Sequence, residues 1–448
     1  MTRPRSRWVL LTVLVTGAMM LSACGNGAGA SGDAQVRKAG TVDINAQPVG
    51  SLKDGGNLNL ALSQWQVQWN YNQVQGAAVD AVLVLRTLLP EPFLQNQDGT
   101  VRPNANLLDS AQLISSDPEV IELKMKKKAR WSDGTPITYQ DWVADWKAGN
   151  GSNPNYQSAH TTGWNSIDSI DRGVDDQDVK INFRTPFAEW KGLLNFLYPA
   201  SMYATADQFN NGWVNKIPVT AGPFKVKNID QTDKTLTVER DPNWWGLRPK
   251  LDTITFKVVD VNSLAQAFQG DAIDAVDIRS VVPTYQTLAA DRDTTIHKAL
   301  SADWRVIDFG ARPNSPTADP KVRLALMKGI DRPELAKAVI GPIVPDARPL
   351  NNHIYVEGQA QYQDNDGPYV YNKAEAAKEL DADGWKLPAG KQVREKNGTL
   401  LELRFVAQAQ LTTSTDEAQQ VQNQLGQIGV KVDINIVDAN DWLNQYLT

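Results

Sequence analysis

At 448 residues and 49.4 kDa, with 42% hydrophobic and 21% charged residues, the chain has apolar content for two or three packed domains, which excludes a disordered tail or a disulfide-stapled miniprotein. One cysteine and three scattered histidines (His160, His297, His353) exclude an internal disulfide, a CxxC pair and HExxH or HxH spacing, so neither metal nor cofactor is expected. The formal charge of −6, which becomes −9 without Arg3, Arg5 and Arg7, disfavours nucleic acid as a partner.

Residues 1–23 read as a signal peptide: a basic start, an apolar run from Trp8 to Leu21, and Leu21-Ser22-Ala23 before Cys24. The run is too short for a permanent span, which needs about 20 residues. The tetrapeptide ending in Cys24 resembles the lipobox of bacterial lipoproteins, which implies cleavage before Cys24 and a diacylglycerol on its thiol. Residues 24–54 are then a tether, because Gly25-Asn26-Gly27-Ala28-Gly29-Ala30-Ser31-Gly32 has little to bury. Gly27 to Gly32 satisfies GxGxxG literally, but no strand and helix flank it, so it reads as linker.

Ile121, Leu123 and Met125 alternate with Glu122, Lys124 and Lys126, and Ile254, Phe256 and Val258 with Thr253, Thr255 and Lys257, so both stretches read as strands. The basic run Lys124, Lys126, Lys127, Lys128 and Arg130 reads as a solvated edge that discourages strand pairing. In Trp131-Ser132-Asp133-Gly134-Thr135-Pro136, Asp133-Gly134 makes a tight turn, and Thr138 with Asp141 three residues on predicts a capped helix. Further helices start at Asp319-Pro320, at Asp331 with Glu334, and at Asn372 with Glu375, and they stop near Gly329, Gly341 and Gly384. A polar helix through Ala418, Val421, Leu425 and Ile428 stops at Gly429. A strand through Val430, Val432, Ile434 and Ile436 follows. Glu379, Asp381, Asp383 and Gly384 mimic a calcium loop, but its last ligand would fall at Gly390, so the match fails. Helices alternating with strands argue α/β architecture in several lobes.

Seven stretches occur in an order that resembles the family 5 extracellular solute-binding proteins, the peptide-binding components of ABC importers. They are the Trp131 to Asp141 segment; Ala221 to Val226; Asp241-Pro242-Asn243-Trp244-Trp245 with Pro249 to Asp252; Gly270 to Asp274; Lys321 to Leu326 with Ile330-Asp331-Arg332; Tyr371-Asn372-Lys373; and Gln424-Leu425 through Val432. The resemblance implies a periplasmic-binding-protein-like two-lobed α/β fold, with a cleft between the lobes and an extra domain on the first lobe. Laid on this chain, lobe I is residues 55–90 and 220–308, the extra domain 91–219, and lobe II begins at 309. Family members continue past the point matching Thr448, so lobe II is expected to be incomplete here, without the aspartate that pairs with a peptide's α-amino group in relatives.

The same resemblance assigns ligand contact to Trp65, Trp69 and Trp304, to the backbone of Gln75 and Gly76, and to Asp277. The other tryptophans and the Trp244-Trp245 pair read as core and turn packing. The function it implies is a monomeric, lipid-anchored receptor on the outer face of the cytoplasmic membrane, which captures oligopeptides for ABC permease subunits. Oligosaccharides and nickel chelates are alternative ligands within the family. A lipid-anchored hydrolase is the alternative of another class, since 51 acids leave many carboxylate pairs, but no GxSxG, HExxH or Cys/His arrangement supports catalysis.

Overall fold

The computed structural model describes residues 43, 45–96, 99–299, 304–409, 411–438 and 441–446, so Cys24 and the predicted signal peptide lie outside the described residues. Strand β1 (Asn57–Leu62) is followed by a long loop and helix α1 (Val79–Leu88), whose buried face is Ala81, Val84, Leu85 and Leu88. A short hairpin, β2 (Phe93–Gln95) and β3 (Val101–Pro103), leads into β4 (Leu108–Ser116) and β5 (Glu119–Met125). Helix α2 (Tyr139–Gly149) then crosses to β6 (Ile167–Arg172) and β7 (Asp178–Phe183).

The sheet built from these strands has the order β4-β5-β7-β6, antiparallel throughout. Alternation in β5 buries Ile121, Leu123 and Met125, and register sets Ile121 beside Ile181 and Leu123 beside Val179. Helix α2 covers that face: Trp142 is 1% exposed and its indole N–H donates to the Met125 sulfur at 3.3 Å. The predicted cap is present in both directions, with Gln140 N–H donating to Thr138 Oγ1 (3.3 Å) and Thr138 N–H to Asp141 Oδ2 (2.8 Å). The basic run needs a correction. β5 is an interior strand, and the lysines are held by acids on its exposed side: Lys124 by Glu122, Lys126 by Asp109 and Lys127 by Asp175.

Short helices α3 (Trp190–Leu193) and α4 (Ala206–Asn211) close this region. The chain then returns to β1 with β8 (Phe224–Asp230), β9 (Thr235–Arg240) and β10 (Thr253–Val258). The second sheet has the order β1-β10-β9-β8, with β1 and β10 parallel from Asn57 beside Thr253 to Leu62 beside Val258. Residues far apart in sequence therefore form one sheet, and its buried side chains are continuous with those of the first. Gly222 permits the approach of α1, since a Cβ there would lie 2.4 Å from the Thr87 carbonyl oxygen. Helices α5 (Leu264–Gln269) and α6 (Val282–Ala289) follow.

A separate core gathers α7 (Pro320–Gly329), α8 (Arg332–Ile340), α9 (Lys373–Ala382), the small hairpin β11 (Glu395–Lys396) and β12 (Thr399–Leu400), β13 (Glu402–Gln408), α10 (Thr412–Gly426) and β14 (Lys431–Val437). The predicted caps hold: Asp319 accepts from Lys321 N–H, Asp331 from Glu334 N–H and Asn372 from Glu375 N–H, at 2.9 to 3.0 Å. β13 and β14 pair in parallel with α10 as the crossover, and Gly429 takes φ +80° to turn from helix to strand. The last strand departs from its predicted alternation, because only its first half faces the core. Val432 is 4% exposed while Ile436 is 55% exposed. The acids of the calcium-like stretch are paired with cations instead, Glu379 with Lys328, Asp381 with Arg394 and Asp383 with Lys396.

Candidate functional site

Residues 63–78, between β1 and α1, form a loop whose shape is dictated by its own amides. Gln66, Gln68, Asn70 and Gln73 are at most 4% exposed, and buried polar groups of this kind must be hydrogen-bonded. Gln66 Nε2 donates to the carbonyls of Gln68 (2.6 Å) and Gln75 (3.1 Å), while Gln68 Nε2 donates to Asn210 O (2.7 Å). Asn70 Nδ2 reaches Phe209 O at 2.8 Å, and Asn70 Oδ1 accepts from Asn72 N–H. The Tyr198 hydroxyl accepts from Tyr71 N–H and donates to Trp69 O, both at 2.8 Å. Asn72 Nδ2 donates to Asp145 Oδ1 on α2 at 3.1 Å.

The base of the loop is set by Asp80 in the first turn of α1. Its Oδ2 accepts from Ser63 N–H (2.6 Å), the Ser63 hydroxyl (2.7 Å) and Gln64 N–H (3.1 Å). Arg279 lies 4.0 Å from Asp80 Oδ1 and donates through Nε to Asp277 Oδ2 at 3.0 Å. Asp277 is thereby brought to the loop through Arg279. Neither Asp80 nor Arg279 stood out in the sequence. The signal for Asp80 was an acid in a helix's first turn, and Arg279 carries none, since its φ of +49° and its partner 199 residues away appear only in the fold.

The predicted contact residues divide. Trp65 is half-buried, donates to Gln231 Oε1 at 2.8 Å and meets Trp69 edge to face at 6.3 Å. Trp69 is a correction: with 0% exposure it is a core residue supporting the loop from behind, and its indole N–H has no acceptor among the described residues. Gln75 and Gly76 need a second one. Gln75 N–H donates to Gln73 Oε1 (2.6 Å) and Gly76 N–H to Gln73 O (2.8 Å), so neither donor is left to pair with a strand-like ligand. Their carbonyls accept from Gln66 and Ala78, each retaining one lone pair. Gly76 is obligatory for this path, since a Cβ would stand 1.8 Å from Asn70 O. Exposed on the same stretch are Gln75 and Val67, and on the following helix α1 Val79 and Leu83. Trp304 belongs to a different set of contacts. It is 41% exposed, meets His353 edge to face at 6.3 Å, and precedes Arg305, whose Nε donates to Glu417 Oε1 at 2.6 Å.

One carboxyl in the site has an altered acidity. Burial pushes Asp145 up to about 7, against the opposing hydrogen bonds from Tyr203 and Asn72. Among the described residues it has no ion-pair partner, and no group of three or more His, Cys, Asp or Glu could hold a metal there or elsewhere.

Residues 102–448 match the sequence profile of the bacterial extracellular solute-binding proteins, family 5. The chain is 35% identical over 454 residues to the oligopeptide-binding protein OppA of Mycobacterium tuberculosis, covering 98% of this chain and 75% of that protein. It is similar in structure to the Bacillus subtilis oligopeptide-binding protein AppA bound to a nonapeptide, with a TM-score of 0.68 at 20% identity over 88% of this chain and 77% of that one. It also resembles a periplasmic EDTA-binding protein, EppA, with a TM-score of 0.69 at 24% identity over 86% and 74%. The fold is thus the two-lobed α/β fold of periplasmic binding proteins, and the two cores match that architecture. The hydrolase alternative falls with this assignment, because such proteins bind their solutes without transforming them. The chain belongs to the bacterial extracellular solute-binding proteins of family 5.

Proposed function

We propose that the chain is the lipid-anchored receptor of an ABC importer, which captures oligopeptides in a cleft between two lobes and passes them to the membrane permease. Lobe I is then residues 55–90 and 220–308, with 91–219 as its extra domain, and lobe II starts at 309. The observation that carries the peptide reading is the 35% identity, over 98% of this chain, to a protein named for oligopeptide binding. The fold alone cannot choose the solute, since a solved structure of the same fold is an EDTA-binding protein. Trp65, the Gln75 side chain and the free lone pairs of the Gln75 and Gly76 carbonyls provide the wall of lobe I, Trp304 flanks the cleft near the boundary between the lobes, and residues from 309 onward provide the other wall. Closure would be driven by contacts that the ligand makes only when both walls meet it. Cys24 holds the receptor at the outer face of the membrane. Among the described residues no helix is long and apolar enough to cross a membrane.

The test is native mass spectrometry of protein purified from its own membranes, with a Cys24→Ser variant alongside. Co-purifying peptides, and release of the variant into the soluble fraction, are the expected results. A co-purifying carbohydrate or metal chelate in place of peptide would overturn the peptide assignment, and retention of the variant on the membrane would overturn the anchor.

A further inference from the structure

Beside Tyr71 and Asn72 of the loop, a cavity of about 350 Å³ opens between α2, the 158–164 segment and α3, within the range of small-ligand sites. Its floor carries the Asp145 carboxyl, 5% exposed, and the side chain of Asn72 that bonds it. Rings of Trp164, Phe187 and Phe209 line the walls, and Trp164 lies against Gly149, where a Cβ would stand 3.4 Å from its ring. Glu189, His160 and Thr162 stand exposed at the mouth.

From this geometry we propose that the cavity binds a small organic ammonium group, with its charge on Asp145 and its apolar part against the aromatic walls. An ionised carboxylate in a buried site is costly unless a counter-charge joins it, and no lysine, arginine or histidine among the described residues pairs with Asp145. The other titratable groups near it are tyrosines 71, 198 and 203, which are neutral and bring no positive charge; His160 and Glu189 stand at the mouth. An ammonium ion would supply the missing charge, donate to the carboxylate, and lie within reach of electron-rich ring faces. Glu189 at the mouth adds negative potential along the entry path. A neutral alcohol of the same shape donates to the carboxylate but brings no counter-charge, and an anion adds to the buried negative charge.

The ammonium could be that of a free amine or the N-terminus of a peptide. The experiment is titration of the full chain with phenethylamine, followed by calorimetry and Trp fluorescence, with 2-phenylethanol as the uncharged match. Amine binding at least 10-fold tighter than the alcohol is expected, together with a gain in affinity from pH 6 to pH 8 as Asp145 ionises. Asp145→Asn is expected to lose at least 10-fold. Because that change is buried, Thr162→Trp, which plugs the mouth from an exposed position, is the second variant and is expected to lose binding with the fold intact. Equal affinity for amine and alcohol, or unchanged amine binding in Thr162→Trp, would overturn the proposal. Competition by a free pentapeptide but not by its N-acetylated form identifies a peptide terminus as the source; independent binding of both identifies a free amine. A cleft that binds no peptide leaves the amine result standing, so the two readings fail separately.

Discussion

The loop at residues 63–78 and the second core bury polarity in opposite ways. Around residues 63–78 the first core uses neutral amides: Gln66 is tied to carbonyls of the loop itself, and Gln68, Asn70 and Asn72 to backbone or side-chain partners on other elements. The second core, among its described residues, buries one charge, a guanidinium. Arg394, 4% exposed, donates through Nε to Ile428 O (2.6 Å) and through Nη1 to Trp385 O (2.7 Å) and Asp381 Oδ1 (2.8 Å). It ties the end of α10 to the segment after α9, and its aliphatic stem lies where a Cβ on Gly429 would be 2.9 Å away. Spread over many neutral bonds, a network tolerates pH and salt and fixes a loop's path. Concentrated in one charge, it makes a single residue decisive.

The largest effect is therefore expected at Arg394. Arg394→Ala strands two buried carbonyls and removes the stem's packing, at a cost of about 3–5 kcal/mol, in the range for breaking a buried charged network. Hydrogen exchange should show the loss in α9 and α10, whose buried Ala376, Leu380, Val421 and Leu425 share that core, with protection in α2 unchanged. Equal loss in both regions would mean that the cores unfold as one unit and would break the comparison.

The amide network contains one carboxyl, Asp145, and it sharpens the contrast. Its folded pKa, raised by burial to about 7, lies above its unfolded value of 3.8. Between these values the folded state holds a proton that the unfolded state has released, so stability falls as pH rises through about 4 to 7. Asp145→Asn removes that dependence. Relative to the wild type the variant should gain stability between pH 4 and pH 8, by at most about 4 kcal/mol at the upper end. Urea unfolding at both pH values reads the gap, and a gap that stays constant would mean Asp145 is not buried without a counter-charge. A carboxyl that lowers stability at neutral pH is what a site awaiting a cation would contain.

How much of this could be read in advance follows the range of each interaction. The caps at Thr138, Asp319, Asp331 and Asn372 were legible because each closes within three residues. The parallel pairing of β1 with β10 was not legible from periodicity, since alternation says which face is buried and nothing of the partner. For the same reason Lys124 was placed on an edge that proved to be an interior strand. In the loop, Trp65, Trp69, Gln75 and Gly76 were singled out by likeness to relatives, while the amides that fix their positions were missed. The alternation Gln66, Gln68, Asn70, Asn72 was a visible hint, but polar amides read as solvated surface until Asn210 O, Phe209 O and Asp145 come beside them in space. Trp69 was misassigned because a tryptophan in a loop can turn to either side of it, and here it turns into the core.

The smallest effect should come from the exposed counterpart of these networks, Arg305 and Glu417 beside Trp304. The pair is bidentate, and the arginine's pKa is raised chiefly by its hydrogen bond to Glu417, yet the Arg305 side chain is 43% exposed. Solvent screens such a pair, and ordering two long side chains offsets much of the attraction. Arg305→Ala should therefore lower stability by less than about 1 kcal/mol in urea, with the difference shrinking further in 0.5 M salt, on the order of a 4 Å screening length. Under the proposed function, in which Trp304 flanks the cleft, ligand affinity is the more sensitive readout, because Trp304 is the adjacent residue and loses a neighbour that restrains its backbone. If the stability loss instead approached that of Arg394→Ala, the exposed pair would be holding the second core as firmly as the buried guanidinium does, and burial would not be what separates the two.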